Sequence, residues 1–174
     1  MTSKSKLKGN TWERDICKLL SENLGGIFTR TPHSGAFIGG KNSFRKQTLS
    51  ESSIRTYKGD IVPPSSFPFF NIEAKNYNDF QFHQLFSESK QLDSWITQTL
   101  EPADEFDINL TVFKVSRKGS WIAFEEKLFS KFNMTANYLK YKNHYVTDFE
   151  LFVKNNTEPL RQLGAKGYVD TTVI

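Results

Sequence analysis

Hydrophobic positions set the first element of the chain: Trp12, Ile16, Leu19, Leu20 and Leu24 recur at helical spacing. Residues three and four apart share one face of a helix, so this stripe predicts an amphipathic helix. Asn10 with Glu13 three residues on is a capping-box pattern that opens it, and Gly25-Gly26 closes it. Lys4 to Lys8, ahead of Asn10, reads as a loose basic arm. Ile27-Phe28-Thr29 then predicts a short strand. From Arg30 to Lys58 the chain reads as loop, and loops this long inside compact domains are usually functional or disordered.

The pattern then turns to strands. Gly59-Asp60-Ile61-Val62 predicts one, broken by Pro63-Pro64, and Phe69 to Lys75 predicts a second that could pair with it as a hairpin. Phe80 to Leu100 is mostly helical by spacing, ended by Pro102. Leu110 to Val115 and Trp121 to Phe124 predict two more strands around an Arg117-Lys118-Gly119 turn. Glu125 to Phe132 suggests a short helix. The last forty residues are poorly patterned: a strand near Tyr145-Val146, a helix near Phe149 to Val153 and a frayed tail. The order α-β-β-β-α-β-β predicts an α/β fold with a central mixed sheet flanked by helices. A single domain of 174 residues is expected, with a core over about residues 8–130 and an extension of unassigned role over 131–174.

Composition narrows the chemistry. Hydrophobic residues at 37% and charged residues at 24% describe a folded chain, and 16 Phe imply a phenylalanine-rich core. The rings of Trp95 and Trp121 are expected in that core rather than stacked on a ligand. One cysteine, Cys17, allows no intrachain disulfide and no cysteine zinc site; His33, His83 and His144 lack ligand spacing. A bound metal would therefore sit among oxygen ligands, which suits magnesium, with manganese able to substitute. No signal peptide or membrane span is read, so a cytoplasmic location is expected. Residues 1–60 hold 11 Lys/Arg against 5 Asp/Glu, whereas residues 61–174 hold 12 against 14. Positive charge gathered in one third of the sequence suits a phosphate backbone, and Lys41, Arg45 and Lys46 in the long loop are candidate phosphate contacts.

Side chains alternate along a strand, so Phe69, Asn71, Glu73 and Lys75 share one face while Phe70, Ile72 and Ala74 share the other. Glu73 and Lys75 are then roughly 6.6 Å apart along the strand. A carboxylate this close to an amine can hold a divalent cation while the amine orients water. Asp60, charged at the start of an apolar strand, can supply a second carboxylate if the two strands pair, and the Ala74 carbonyl a third oxygen.

Gly59-Asp60 followed by Ile72-Glu73-Ala74-Lys75 resembles the bipartite motif of the PD-(D/E)xK nuclease superfamily. The wider layout is similar to its Holliday junction resolvase branch, which includes archaeal and phage resolvases. That branch opens with a glutamate-bearing helix, here Lys8-Gly9-Asn10-Thr11-Trp12-Glu13, and continues with an Arg-x-x-x-Ser-Gly loop, here Arg30 to Gly35. A helix and a basic hairpin, here Phe113 to Lys118, follow the lysine. The likeness covers about residues 8–125 and implies a restriction-endonuclease-like core. The superfamily's proline before the aspartate is Gly59 here.

The resemblance implies a magnesium-dependent endonuclease that cuts DNA, with four-way junctions as substrate and a homodimer as the working form. Glu13 would complete the metal site, directly or through water. Ser34 and Arg30 would lie near the scissile phosphate. Gln98 and Lys90 sit in the helix where related nucleases place a polar active-site residue, a weaker match, and Gln98, Arg117 and Lys118 would contact DNA. Two alternatives stay open: another nuclease on the same core that cuts duplex or flap DNA, and a non-catalytic DNA-binding module.

Overall fold

The computed structural model describes residues 4–31, 58–135 and 137–169. The first helix, α1 (Lys4–Leu24), starts six residues earlier than Asn10, so the expected capping box does not form. Nothing from Lys4 to Lys8 interrupts a helix, and the Asn10 carboxamide is used elsewhere: its Oδ1 accepts a hydrogen bond from Arg30 Nη2 at 2.7 Å. The basic arm is therefore the first turns of α1. The helix stops as expected, with Gly25 and Gly26 both at positive φ.

Among the described residues seven strands follow: β1 (Thr29–Arg30), β2 (Ile61–Val62), β3 (Phe70–Tyr77), β4 (Ile108–Val115), β5 (Gly119–Glu125), β6 (Tyr138–Tyr141) and β7 (His144–Asp148). They form one mixed sheet in the spatial order β1-β2-β3-β4-β5-β7-β6. Only β3 and β4 run parallel, because α2 (Lys90–Leu100) carries the chain back between them. β2 and β3 pair antiparallel with Ile61 opposite Ile72, the hairpin expected from the sequence.

Each face of the sheet is covered. Phe70, Ile72, Leu110, Val112, Ile122 and Phe124 point to one face and meet Trp12, Ile16 and Leu20 of α1. Phe152 of α3 (Phe149–Asn155) and Leu160 of α4 (Thr157–Lys166) complete that layer. Phe113, Val115 and Ala123 point to the other face and pack under Leu92, Trp95 and Ile96 of α2. The alternation along β4 is what separates the two layers.

The region from Phe80 to Leu100 is not one helix. Phe82–Phe86 forms a 3-10 turn, and α2 begins only after Ser89. Ser89 Oγ caps the helix by accepting the Leu92 N–H, while the Ser89 N–H donates to Tyr141 Oη at 2.8 Å. Apolar spacing of three fits both helix types, so the sequence did not separate them.

The last forty residues hold more structure than their pattern suggests. β6 turns into β7 through Lys142 at a φ of 51°, without the glycine that normally marks such a turn. After α3, buried Asn156 accepts the Asn133 N–H and donates to the Phe152 carbonyl, and α4 follows directly. Gly164 brings α4 onto β3: a Cβ there would lie 2.4 Å from the Phe70 ring.

Candidate active site at the junction of β2 and β3

Antiparallel pairing of Ile61 with Ile72 puts the preceding residue, Asp60, alongside Glu73. The pairing is held by the Asp60 N–H, which donates to the Ile72 carbonyl at 2.9 Å, and by the Asp60 carbonyl, which accepts the Thr31 N–H at 2.9 Å. Thr31 Oγ1 adds a bond to the Gly59 carbonyl. Here the departure at position 59 has its physical reason. A Cβ on Gly59 would lie 2.3 Å from the Ile72 carbonyl oxygen, so the strands approach too closely for any side chain.

Both carboxylates are buried, Asp60 at 8% exposure and Glu73 at 5%. Asp60 Oδ2 accepts the Ala74 N–H at 2.9 Å. In a strand the N–H and C=O of one residue point to the same edge, so the Ala74 carbonyl faces the Asp60 side as well. Lys75 Nζ donates to Glu73 Oε1 at 2.5 Å and to Gln98 Oε1 of α2 at 2.7 Å. Asp60, Glu73, Ala74, Lys75 and Gln98 are thus brought together.

Two acids against one amine leave this cluster with surplus negative charge. Burial, and next the charge of Glu73, push the Asp60 carboxyl up to about 7, while the Ala74 N–H and Lys75 pull it down. A divalent cation suits this donor set: all the ligands are oxygens, and positive charge would relieve the crowding that raises Asp60.

Glu13 sits apart from that pair. Its Oε2 takes the Arg30 Nε at 2.5 Å, and Asn10 holds the far end of the same guanidinium. Among the described residues no three Asp, Glu, His or Cys side chains gather as a metal site. Burial, followed by the charge of Glu13, pushes the Cys17 thiol up to about 11. Asn10 was read only as a cap; Asn10 and Glu13, three apart on α1, form one face that grips Arg30.

Other candidates are scattered. Lys90 is exposed at the first turn of α2, about 12 Å along the helix from Gln98. Arg117 and Lys118 are exposed at the β4–β5 turn, where Lys118 pairs with Asp79 at 2.8 Å. Trp95 is buried and Trp121 half-buried, both within ring contacts of the second core layer. Ser34, His33, Lys41, Arg45 and Lys46 lie outside the described residues.

Residues 4–164 match the model of the family described as "Phage putative PDDEXK endonuclease". The chain belongs to that family. The family extends the likeness read from the sequence, about residues 8–125, through β6, β7, α3 and nearly all of α4. The mixed sheet with flanking helices is accordingly the restriction-endonuclease-like α/β fold. Membership brings nuclease chemistry, a DNA substrate and a divalent metal in general terms. No curated protein and no solved structure matches the chain. No helix among the described residues is long and apolar enough to cross a membrane.

Proposed function

We propose that this PDDEXK family member is a magnesium-dependent DNA endonuclease, with manganese able to substitute, and that its active site is the Asp60–Glu73–Lys75 cluster. The observation that carries the reading is the pair of buried acids beside one lysine on a single sheet face. Asp60 and Glu73, with the Ala74 carbonyl, would hold the cation. Bound there, it would supply Lewis-acid polarisation of the phosphate and offset its negative charge.

Lys75 donates hydrogen bonds to the attacking water, and Gln98 holds the amine in place for it. Water attacks in line, the bond from phosphorus to the leaving sugar oxygen breaks, and configuration inverts. Arg30 serves the flanking phosphate together with Ser34. Glu13 keeps Arg30 oriented through Oε2 and would meet a bound cation through water. Lys41, Arg45, Lys46, Arg117 and Lys118 position the DNA backbone.

The finer reading is a Holliday junction resolvase acting in the cytoplasm as a homodimer. It rests on the sequence likeness around Glu13, Arg30 and the β4–β5 hairpin, and on the need for two active sites to make symmetric nicks. The test is cleavage of a labelled four-way junction beside matched linear duplex, with magnesium and with chelator. Paired nicks in the junction alone establish the resolvase. Duplex cutting keeps the active site and removes the junction specificity. Tight binding without cutting of either substrate points to a binding module and sinks the enzyme reading.

A further inference from the structure

On the face of β3 opposite Lys75 lies a concave site, about 270 Å³ in volume. Lys8 of α1 and Lys114 of β4 bring two amines to it, with the hydroxyls of Thr11 and Ser116. Lys8 Nζ is anchored by Asn78 Oδ1 at 2.6 Å and Ser116 Oγ at 2.7 Å. Lys114 Nζ lies 5.0 Å from the centre of the Trp12 ring. The one acid on the wall, Asp15, meets Lys114 only at 3.5 Å, so positive charge is left over.

Two amines against one exposed acid on this wall suit an anionic oxygen. Trp12, 4% exposed, lies under Lys114.

We propose that this pocket binds a non-scissile phosphate of the substrate's sugar–phosphate backbone. The proposal rests on the nuclease reading and adds a contact beyond it. One feature favours a backbone phosphate over a free one. Ser116 leads straight into the exposed Arg117-Lys118 turn, so the pocket continues into the basic hairpin tip.

The experiment measures affinity of the full chain for a labelled four-way junction and duplex, in chelator, across a salt series. Each lost phosphate contact makes the plot of log K against log salt shallower by about 0.9. Lys8→Gln and Lys114→Gln should each show that change. Between 50 and 200 mM salt, affinity should then fall about threefold less than for the wild type. Arginine at either position should restore the slope. Lys131→Gln, on a different surface groove, is the charge-matched control.

Wild-type slopes in both glutamine variants overturn the proposal. So does an affinity for inorganic phosphate that depends on Lys8 and Lys114 while the DNA slopes stay put, since the site would then take a free phosphate. Because no metal is present, the readout is independent of Asp60 and Glu73. Wild-type protein that binds no DNA defeats both readings; binding with unmoved slopes defeats this one alone.

Discussion

Two groups of buried charge lie two residues apart around β2, and they are built differently. Lys58, its side chain 3% exposed, meets Asp107, 4% exposed, at 2.5 Å and the largely exposed Asp104 at 2.6 Å. Asp107 Oδ2 also accepts the Asp104 N–H. One buried cation faces one buried anion, and the second acid is solvated. This group ties the chain before β2 to the turn before β4 and is electrically complete. Around Asp60 the count does not close: two buried acids share one amine, and Asp60 is driven up to about 7. A closed pair needs nothing more from outside, whereas a buried surplus of acid is stable only with a proton or a cation. That imbalance, more than burial itself, distinguishes the candidate metal site from a structural ion pair.

Breaking the closed group should have the largest effect. Lys58→Met leaves Asp107 buried without its cation and should destabilise the fold by about 3–5 kcal/mol in denaturant unfolding. Replacing both partners by apolar residues should recover most of the loss. A mild effect of the single variant would mean that the two groups are not as different as their burial implies.

In the open group the same logic predicts loss of chemistry rather than of fold. Glu73→Gln should lower single-turnover cleavage in magnesium by more than about 100-fold, because altering even residues that only support a metal ligand costs about 10–100-fold. The unfolding midpoint should stay close to wild type. Cleavage at the wild-type rate would refute the metal assignment.

The imbalance itself can be titrated. Asp60 is raised in the native state, so the unfolded chain gives up that proton from about pH 4 upward while the native state keeps it to about 7. Metal-free stability should therefore fall as pH rises through this window. Asp60→Asn removes the dependence. In chelator at pH 8 it should melt roughly 3 °C or more above wild type, the shift of about 1 kcal/mol in a chain this size. At pH 4 to 5 the two should converge. Added magnesium should reverse the order by stabilising only the wild type.

The smallest effect lies in β7, beside the edge strand β6. Burial lowers His144 against the opposing pull of Glu125 and Asp93, with Lys127 adding slightly to the lowering. The unfolded chain gains that proton first as pH drops below about 6.5, so acid erodes stability slightly. His144→Gln should remove this fraction of a kcal/mol, readable as a flatter melting profile between pH 7 and 5.

Much of this was legible in the residue order. The spacing of Trp12, Ile16 and Leu20 made α1, the alternation of Phe70, Ile72 and Ala74 made β3, and the Asp60…Glu73-Ala74-Lys75 pattern marked the cluster, because helix and strand periods act over a few neighbouring positions. What depended on distant partners was not legible. The start of α1, the 3-10 turn before α2, and β6 and α4 are each decided by contacts across the sheet: Asn10 with Arg30, Ser89 with Tyr141, Gly164 with Phe70. Local pattern left these elements ambiguous, and tertiary packing overrode it. The sequence by itself determined which residues could carry the chemistry. Only the tertiary structure decided that Asp60 and Glu73 share one buried shell, that Glu13 answers to Arg30, and that Lys58 is neutralised, because charge balance depends on distances that no spacing along the chain encodes.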